Sequence, residues 1–342
     1  MRLAVYYSNH DVRIEERPVP EIGPGELLLR VHASGICGSD VMEWYRTHKA
    51  PLVLGHEVTG EVVDVGEGVT GYGAGDRVAV AHHVPCNTCR YCRSGHHTVC
   101  DTLRRTNFDP GGFAEYVRLP AINVDRGVFP LPASVSYDEG SFTEPLACVL
   151  RALRLARLRP GQSVLVIGSG ISGLLHVQAA TALGAGRIIA TDVSPYRLEA
   201  ARRFGAEAAI HASEDVPARV REINGGVLAD LVTLCAGAPS AIQQALRSVE
   251  RGGSVLFFAA AEGNATVPLA VNEVFWRNEV TLLSSYGGAP ADYAEALELI
   301  RARRINVEAM ITHRLPLAET GLGFRLVAEA GDSIKVLVQP SR

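Results

Sequence analysis

Over roughly the first 145 residues apolar and polar positions alternate in short runs. ELLLRVHASG (26–35), EVTGEVVDVGEGV (57–69) and DRVAVAHHV (76–84) are examples, and glycines punctuate the stretches between them. A period of two residues bounded by turn formers predicts a β-rich unit whose loops carry side-chain chemistry. Near Leu146 the pattern changes. Residues 146–159 follow a helical period, and SVLVIGSGISGLLHVQAATALG (163–184) reads as a strand, a glycine turn and a helix. RIIATD (187–192), ADLVTLCAG (229–237), GSVLFFAA (253–260) and EVTLLSSY (279–286) are further apolar strands. PYRLEAARRFG (195–205) and PSAIQQALRSVE (239–250) are the helical stretches between them. Strands alternating with helices predict a parallel sheet covered on both faces. From about Gly287 the chain mixes helix and strand again and closes with KVLVQP (335–340).

Composition narrows the classes. A chain of 342 residues has room for two domains, and 47% apolar residues support full cores. A net charge of -4 argues against nucleic acid and against an anionic membrane surface as partners. No apolar run reaches the length of a bilayer span. Met1-Arg2 leads directly into the strand-like LAVYY, so a secretory leader is not expected and a cytoplasmic protein is. Lysine occurs only at 49 and 335; the remaining basic side chains are arginine, which reads as genome composition.

Cys86, Cys89, Cys92 and Cys100 stand at C-x2-C-x2-C-x7-C spacing. Short C-x-x-C steps let one loop wrap one ion, and four thiolates satisfy tetrahedral zinc. A structural zinc is expected there, in preference to a disulfide cluster. Cys148 and Cys235 lie on apolar elements and read as core thiols, while His82, His83, His96 and His97 read as packing or surface residues.

The run Gly168, Ser169, Gly170, Ile171, Ser172, Gly173 has the G-x-G-x-x-G form between a predicted strand and a predicted helix. Its first glycine allows the tight turn, the second lets backbone approach a pyrophosphate, and the third permits close helix–strand packing. The following helix N-terminus offers amides and a partial positive charge to phosphates. Asp192 ends the next strand, about 20 residues on, where a carboxylate accepts from ribose hydroxyls and repels a 2′-phosphate. NAD is therefore expected rather than NADP. The bland alternative for Asp192 is a helix cap ahead of Pro195. Arg197 is close enough in sequence to meet the adenosine end or to lie on a solvated helix face.

Cys37 in GICGSD, His56 and Glu57 in LVLGHEVTG, and Glu144 in FTEPLAC supply a thiolate, an imidazole and two carboxylates. A catalytic zinc keeps three protein ligands and one open position, and can bring the pKa of bound water from ~15.7 to about 7.

Taken in order, GICGSD, GHE-x-x-G, the four-cysteine lobe, GGFAEY, EPLAC and the glycine turn resemble the zinc-containing medium-chain alcohol/polyol dehydrogenases, and most nearly their sorbitol and threonine dehydrogenase branch. The resemblance covers essentially the whole chain. It implies an α/β protein with a GroES-like β-rich catalytic domain (1–147 and 288–342, with the zinc lobe at about 85–101) and a Rossmann doubly wound parallel-sheet domain (148–287). Catalytic zinc is implied on Cys37, His56 and a glutamate, Glu57 in some members and Glu144 in others. Two-thiolate alcohol dehydrogenases have cysteine in place of Glu144, and a carboxylate makes for a more exchangeable site. Ser39 matches the hydroxyl that touches the substrate oxygen, and Asp40 is placed to orient His56. The relay histidine expected five residues after the zinc cysteine is Met42 here. That leaves His48, Glu57, Glu144 or water for the proton. The loop 43–51 is short, and Trp44, Tyr45 and Arg46 are expected either to touch a sugar-like substrate or to pack on the rim. A homotetramer, with a dimer as fallback, is implied.

The combined reading is an NAD-dependent dehydrogenase with two zincs per chain, acting on a small secondary alcohol: a polyol, sugar or cyclitol. An L-threonine 3-dehydrogenase-type activity is the alternative. A metal-depleted, non-catalytic relative is the rival of another class, and retention of Cys37, His56, Glu57 and Glu144 argues against it.

Overall fold

A computed structural model describes residues 1–342. Two compact units are present. The first comprises Met1–Ala147, Gly287–Arg303 and Val307–Arg342, and the second Cys148–Tyr286 with Arg304–Asn306. The short return of Arg304–Asn306 has a local cause. The Gln178 side chain accepts from the Asn306 amide at 2.7 Å and donates to its carbonyl at 3.5 Å.

In the first unit a seven-stranded sheet runs in the order Ile311–Pro316, Lys335–Gln339, Leu27–Gly35, Glu57–Val65, Arg77–Ala81, Val128–Pro130. Tyr116–Leu119 pairs with Leu27–Gly35 off this path. The alternation read from sequence is physical here. Leu27, Leu29 and Val31 are fully buried against Val58, Val62, Val78 and Val80, while residues between them face out. Truncating one of these leucines to alanine would cost about 2–5 kcal/mol. A second cluster packs Tyr6, Phe113 and Phe324 against Ile36, Val336 and Val338.

Register then positions the chemistry. Gly35 lies opposite Glu57, Glu57 opposite Ala81, and Leu337 opposite Gly35. Cys37, His56 and His82, each one or two residues beyond these partners, therefore emerge at the same end of the sheet, with the start of Lys335–Gln339 alongside.

The second unit holds six parallel strands in the order Ala208–His211, Arg187–Asp192, Ser163–Ile167, Ala229–Leu234, Val249–Phe257, Thr281–Ser284. Counted along the chain this is 3-2-1-4-5-6, the doubly wound order whose direction reverses between the first and fourth strands. All five residues of Ser163–Ile167 are buried, as a strand covered on both faces requires. Helices begin where sequence chemistry starts them. Ser194 caps Pro195–Arg203 and Asp215 caps Val216–Ile223, each with proline in the first turn. No helix is long and apolar enough to cross a membrane.

Candidate functional site

Cys86, Cys89, Cys92 and Cys100 bring their four Sγ atoms within 4.8 Å of one another. Cys89–Cys92 and Cys86–Cys100 are each 3.6 Å apart. A disulfide would require about 2.05 Å. A tetrahedron with arms of about 2.3 Å has edges of about 3.8 Å, so this spacing fits zinc. The lobe prepares unequal thiols. The Thr88 hydroxyl and the Thr88 and Cys89 amides hold Cys86 down at about 5, while burial and the neighbouring Cys89 push Cys92 up to about 12. A bound metal cation would let four such sulfurs carry charge together.

The second group is Cys37, His56 and Glu57, whose ligand atoms also lie within 4.8 Å of one another. Cys37 caps the 3-10 turn Gly38–Val41, and its Sγ accepts from the Ser39 amide at 3.5 Å. Asp40 is completely buried behind this turn. Its Oδ2 accepts from the Cys37 amide at 3.0 Å, and its Oδ1 lies 3.4 Å from His56 Nδ1. With Nδ1 turned to Asp40, Nε2 is the ring atom left for a metal. Burial pushes the Asp40 carboxyl up, but His56, Arg46 and the Cys37 amide outweigh it and hold the group below its usual value. Burial likewise opposes a charged His56, and Asp40 with Cys37 overcomes it, raising the ring's proton affinity well above normal.

Glu144 is buried in the first turn of the helix Thr143–Leu155 and is not among the three converging side chains. Glu57 is, yet it already has a partner: a buried ion pair with Lys335. Arg46 does not reach outward. Its Nε donates to the Ser39 carbonyl at 2.9 Å, and Nη2 lies 3.3 Å from Ser39 Oγ and 3.5 Å from Asp40 Oδ1. Trp44 is half exposed and His48 is exposed, while Tyr45 stacks under Lys49 and Arg46. His82 packs its ring on His56 at 4.8 Å, and His83 packs on His82 at 3.9 Å. Sequence reasoning missed Lys335 and His82 as neighbours of this centre, and placed Arg46 at the substrate or on the rim rather than against Ser39 and Asp40. For Lys335 the one available signal was its rarity.

In the second unit, Gly168 has φ 93° at the end of the strand Ser163–Ile167. A Cβ on Gly173 would stand 1.9 Å from the Gly168 carbonyl oxygen, so no other residue fits there. Gly170 begins the helix Ile171–Ala182 without a side-chain cap, which leaves first-turn amides for a ligand. Asp192 does not cap the next helix, since Ser194 does. It is buried and accepts from the Ser169 amide at 2.7 Å and the Ser194 amide at 2.9 Å, which ties the glycine turn to the end of the second strand. A carboxylate has about four acceptor positions, and these two bonds use two of them. An Arg197 guanidinium nitrogen lies 3.8 Å from where a Gly170 Cβ would be.

Comparison with known proteins agrees with this geometry. The family model described as alcohol dehydrogenase GroES-like domain matches residues 23–133, and that described as zinc-binding dehydrogenase matches 172–302. Sorbitol dehydrogenase of Gallus gallus is 34% identical, covering 98% of this chain and 95% of its own. Sorbitol dehydrogenase of Bacillus subtilis is 33% identical, covering 100% and 98%. A chain from Sinorhizobium meliloti 1021, solved bound to NADP, superposes with a TM-score of 0.88 at 28% identity over 99% of both chains. The chain belongs to the zinc-containing medium-chain alcohol/polyol dehydrogenase family.

Proposed function

We propose that the protein oxidises a secondary alcohol of a polyol, sugar or cyclitol with NAD, and reduces the matching ketone in reverse. It would use one catalytic zinc on Cys37 and His56 with a carboxylate, and one structural zinc on Cys86, Cys89, Cys92 and Cys100. The observation that carries the reading is the convergence of Cys37, His56 and Glu57 on a turn braced by buried Asp40. The relatives' polyol substrates support the substrate class.

When bound, zinc supplies the Lewis acidity that lets an alcohol ionise near neutral pH, and NAD supplies the hydride acceptor. The chain's own residues do the rest. Asp40 fixes the tautomer and angle of His56. Arg46 donates to Ser39 Oγ, which directs the hydroxyl hydrogen away from Arg46 and leaves Ser39 able to take the substrate's proton and pass on its own. Asp192 favours a free ribose over a 2′-phosphate. Because Met42 replaces the relay histidine, oxidation is expected to rise into the alkaline range.

The strand Thr281–Ser284 pairs on one side only, with Val249–Phe257. An unpaired apolar edge favours pairing with a second copy, which supports a dimer and, as two dimers, a homotetramer. A monodisperse monomer in light scattering would overturn that assembly.

The activity is tested by NAD+ reduction over a panel of polyols, aldoses, cyclitols and L-threonine. Turnover confined to polyhydroxylated alcohols is the expected result. Turnover of L-threonine alone, or of nothing in the panel with zinc fully loaded, would overturn the substrate class.

A further inference from the structure

One edge of the strand Leu27–Gly35 changes partner part-way along. Leu27–Arg30 pair with Tyr116–Leu119, whereas Ser34 and Gly35 pair with Val338 and Leu337. The Val31 amide still reaches the Glu115 carbonyl at 2.9 Å, and beyond it the two partner strands part. A cleft of about 690 Å3 lies at this notch, with Arg30, His32, Tyr116, Tyr137, Asp138 and Gln339 in its walls. Arg30 and His32 alternate with buried Leu29, Val31 and Ala33, so the cleft is on the polar face of the strand. It belongs wholly to the first unit, and none of Cys37, Ser39, Asp40, His56 or Glu57 lines it.

The size suits a small molecule, but small-molecule pockets are lined chiefly by apolar groups and this one is not. Its walls hold two arginines, Arg30 and Arg342, and two carboxylates, Glu115 and Asp138, so they favour neither sign of charge. The polar groups are held in place. Glu115 accepts from Arg2 Nε at 2.8 Å and from the Arg2 amide at 2.7 Å. Asp138 accepts from Arg314 Nε at 2.6 Å and from Gln339 Nε2 at 2.9 Å, and Gln339 Oε1 accepts from Arg342 at 3.2 Å. With about four acceptor positions each, neither carboxylate is saturated by these bonds. Arg30 has only a loose partner, Glu61 at 3.9 Å. Rings stand among them. His32 stacks on Tyr137 at 4.1 Å and 6°, with the Arg77 guanidinium 4.6 Å from the Tyr137 centre, while Tyr116 stacks on no other ring. Fixed donors and acceptors around aromatic carbon suit a molecule that carries hydroxyls on a C–H skeleton, since the negative face of a ring attracts weakly positive C–H groups. We propose that this cleft is a second, non-catalytic binding site for an uncharged sugar or polyol, with Tyr116 as the stacking surface and Arg30, Glu115 and Asp138 as hydroxyl partners. Balanced charge sets it against sugar acids and phosphates, and its polar walls set it against hydrocarbon.

Saturation-transfer NMR on the full chain tests this, with maltose and D-sorbitol as probes and D-gluconate and inorganic phosphate as anionic competitors. The Cys37→Ser protein without NAD is used, so that the measurement needs no turnover and stands apart from the catalytic reading. Transfer to at least one uncharged probe is expected, and neither anion should displace it. In that background Tyr116→Ala should raise the probe's Kd at least tenfold and Arg30→Gln at least threefold. Arg30 is largely exposed, so Arg30→Gln decides alone if Tyr116→Ala does not fold. With Cys37 restored, Arg30→Gln should oxidise polyols at the parental rate. No transfer to either probe, undiminished transfer in a folded cleft variant, or displacement by gluconate or phosphate would each overturn the site. A fall in polyol oxidation in Arg30→Gln would overturn its independence from catalysis.

Discussion

The glycine turn offers a paired perturbation in which one substitution breaks the fold and its neighbour breaks only binding. At Gly173 a methyl would meet backbone, the Gly168 carbonyl oxygen at 1.9 Å and its carbon at 2.9 Å. Backbone cannot swing aside, so Gly173→Ala should cost about 1–3 kcal/mol of stability. At Gly170 the nearest atom to an added methyl is the Arg197 guanidinium at 3.8 Å, and φ -70° with ψ -171° is conformation that alanine adopts freely. Gly170→Ala gains about 0.4–1 kcal/mol from a less mobile unfolded chain and loses a similar amount as a poorer N-cap. Its stability should therefore stay within about 1 kcal/mol of the parent. The methyl would nonetheless stand where a pyrophosphate approaches the helix amides. Losing one hydrogen bond to a charged group costs about 1.5–3 kcal/mol, or roughly 10–150-fold in Kd. Thermal unfolding and NADH fluorescence titration of both variants are the assays. Parental NADH affinity in Gly170→Ala would refute the phosphate cradle, and an unfolding midpoint as low as that of Gly173→Ala would refute the open space.

Three further outcomes follow from other sites. With Asp192 in place, kcat/KM should favour NAD+ over NADP+ at least tenfold, about 1.4 kcal/mol. Asp192→Ser should erode that ratio and, because the carboxylate anchors the Ser169 and Ser194 amides, weaken both cofactors; equal use by the parent protein would refute the assignment. Cys100→Ser, at a buried ligand of the cysteine lobe, should remove one zinc per chain and lower the unfolding temperature, and an unchanged melt would count against a structural metal. His176 is fully buried, and burial, only partly offset by the Ser172 carbonyl, depresses its pKa to about 4. The folded state thus resists protonation that the unfolded chain accepts near 6.5. Stability is complete above that pH and should fall by about 3 kcal/mol as pH drops from 6.5 to 4. His176→Gln should flatten this slope in urea titrations across that range, and an unchanged slope would show that other groups set it.

What could be read in the chain depended on how local each signal is. Strands such as Arg187–Asp192 and Lys335–Gln339 were plain because a continuous apolar run between turn formers has few other fates. The cysteine lobe was plain because all four sulfurs lie within fifteen residues. Cys37 and His56 were legible only through their motifs, since nothing local says that two loops meet; the register of Gly35 with Glu57 is what joins them. Glu57 and Lys335, 278 residues apart, left no trace beyond a lysine in an arginine-rich chain. Arg46 read as either a substrate contact or a rim residue because its short helix, Glu43–Arg46, looks like an exposed loop; the turn aims the guanidinium back at Ser39 and Asp40. Asp192 read as a ribose acceptor or a helix cap, and its buried bonds to two loop amides needed the strand ends in three dimensions.

The central claim is that Cys37 and His56 hold a working zinc distinct from the one in the cysteine lobe. Zinc content and NAD+-dependent polyol oxidation, measured together on the parent and on Cys37→Ser, test it most directly. The account predicts two zincs per chain and turnover in the parent, against one zinc, an unchanged unfolding temperature and no turnover in Cys37→Ser. A parent with one zinc, or a Cys37→Ser variant that keeps near-parental turnover, would contradict it.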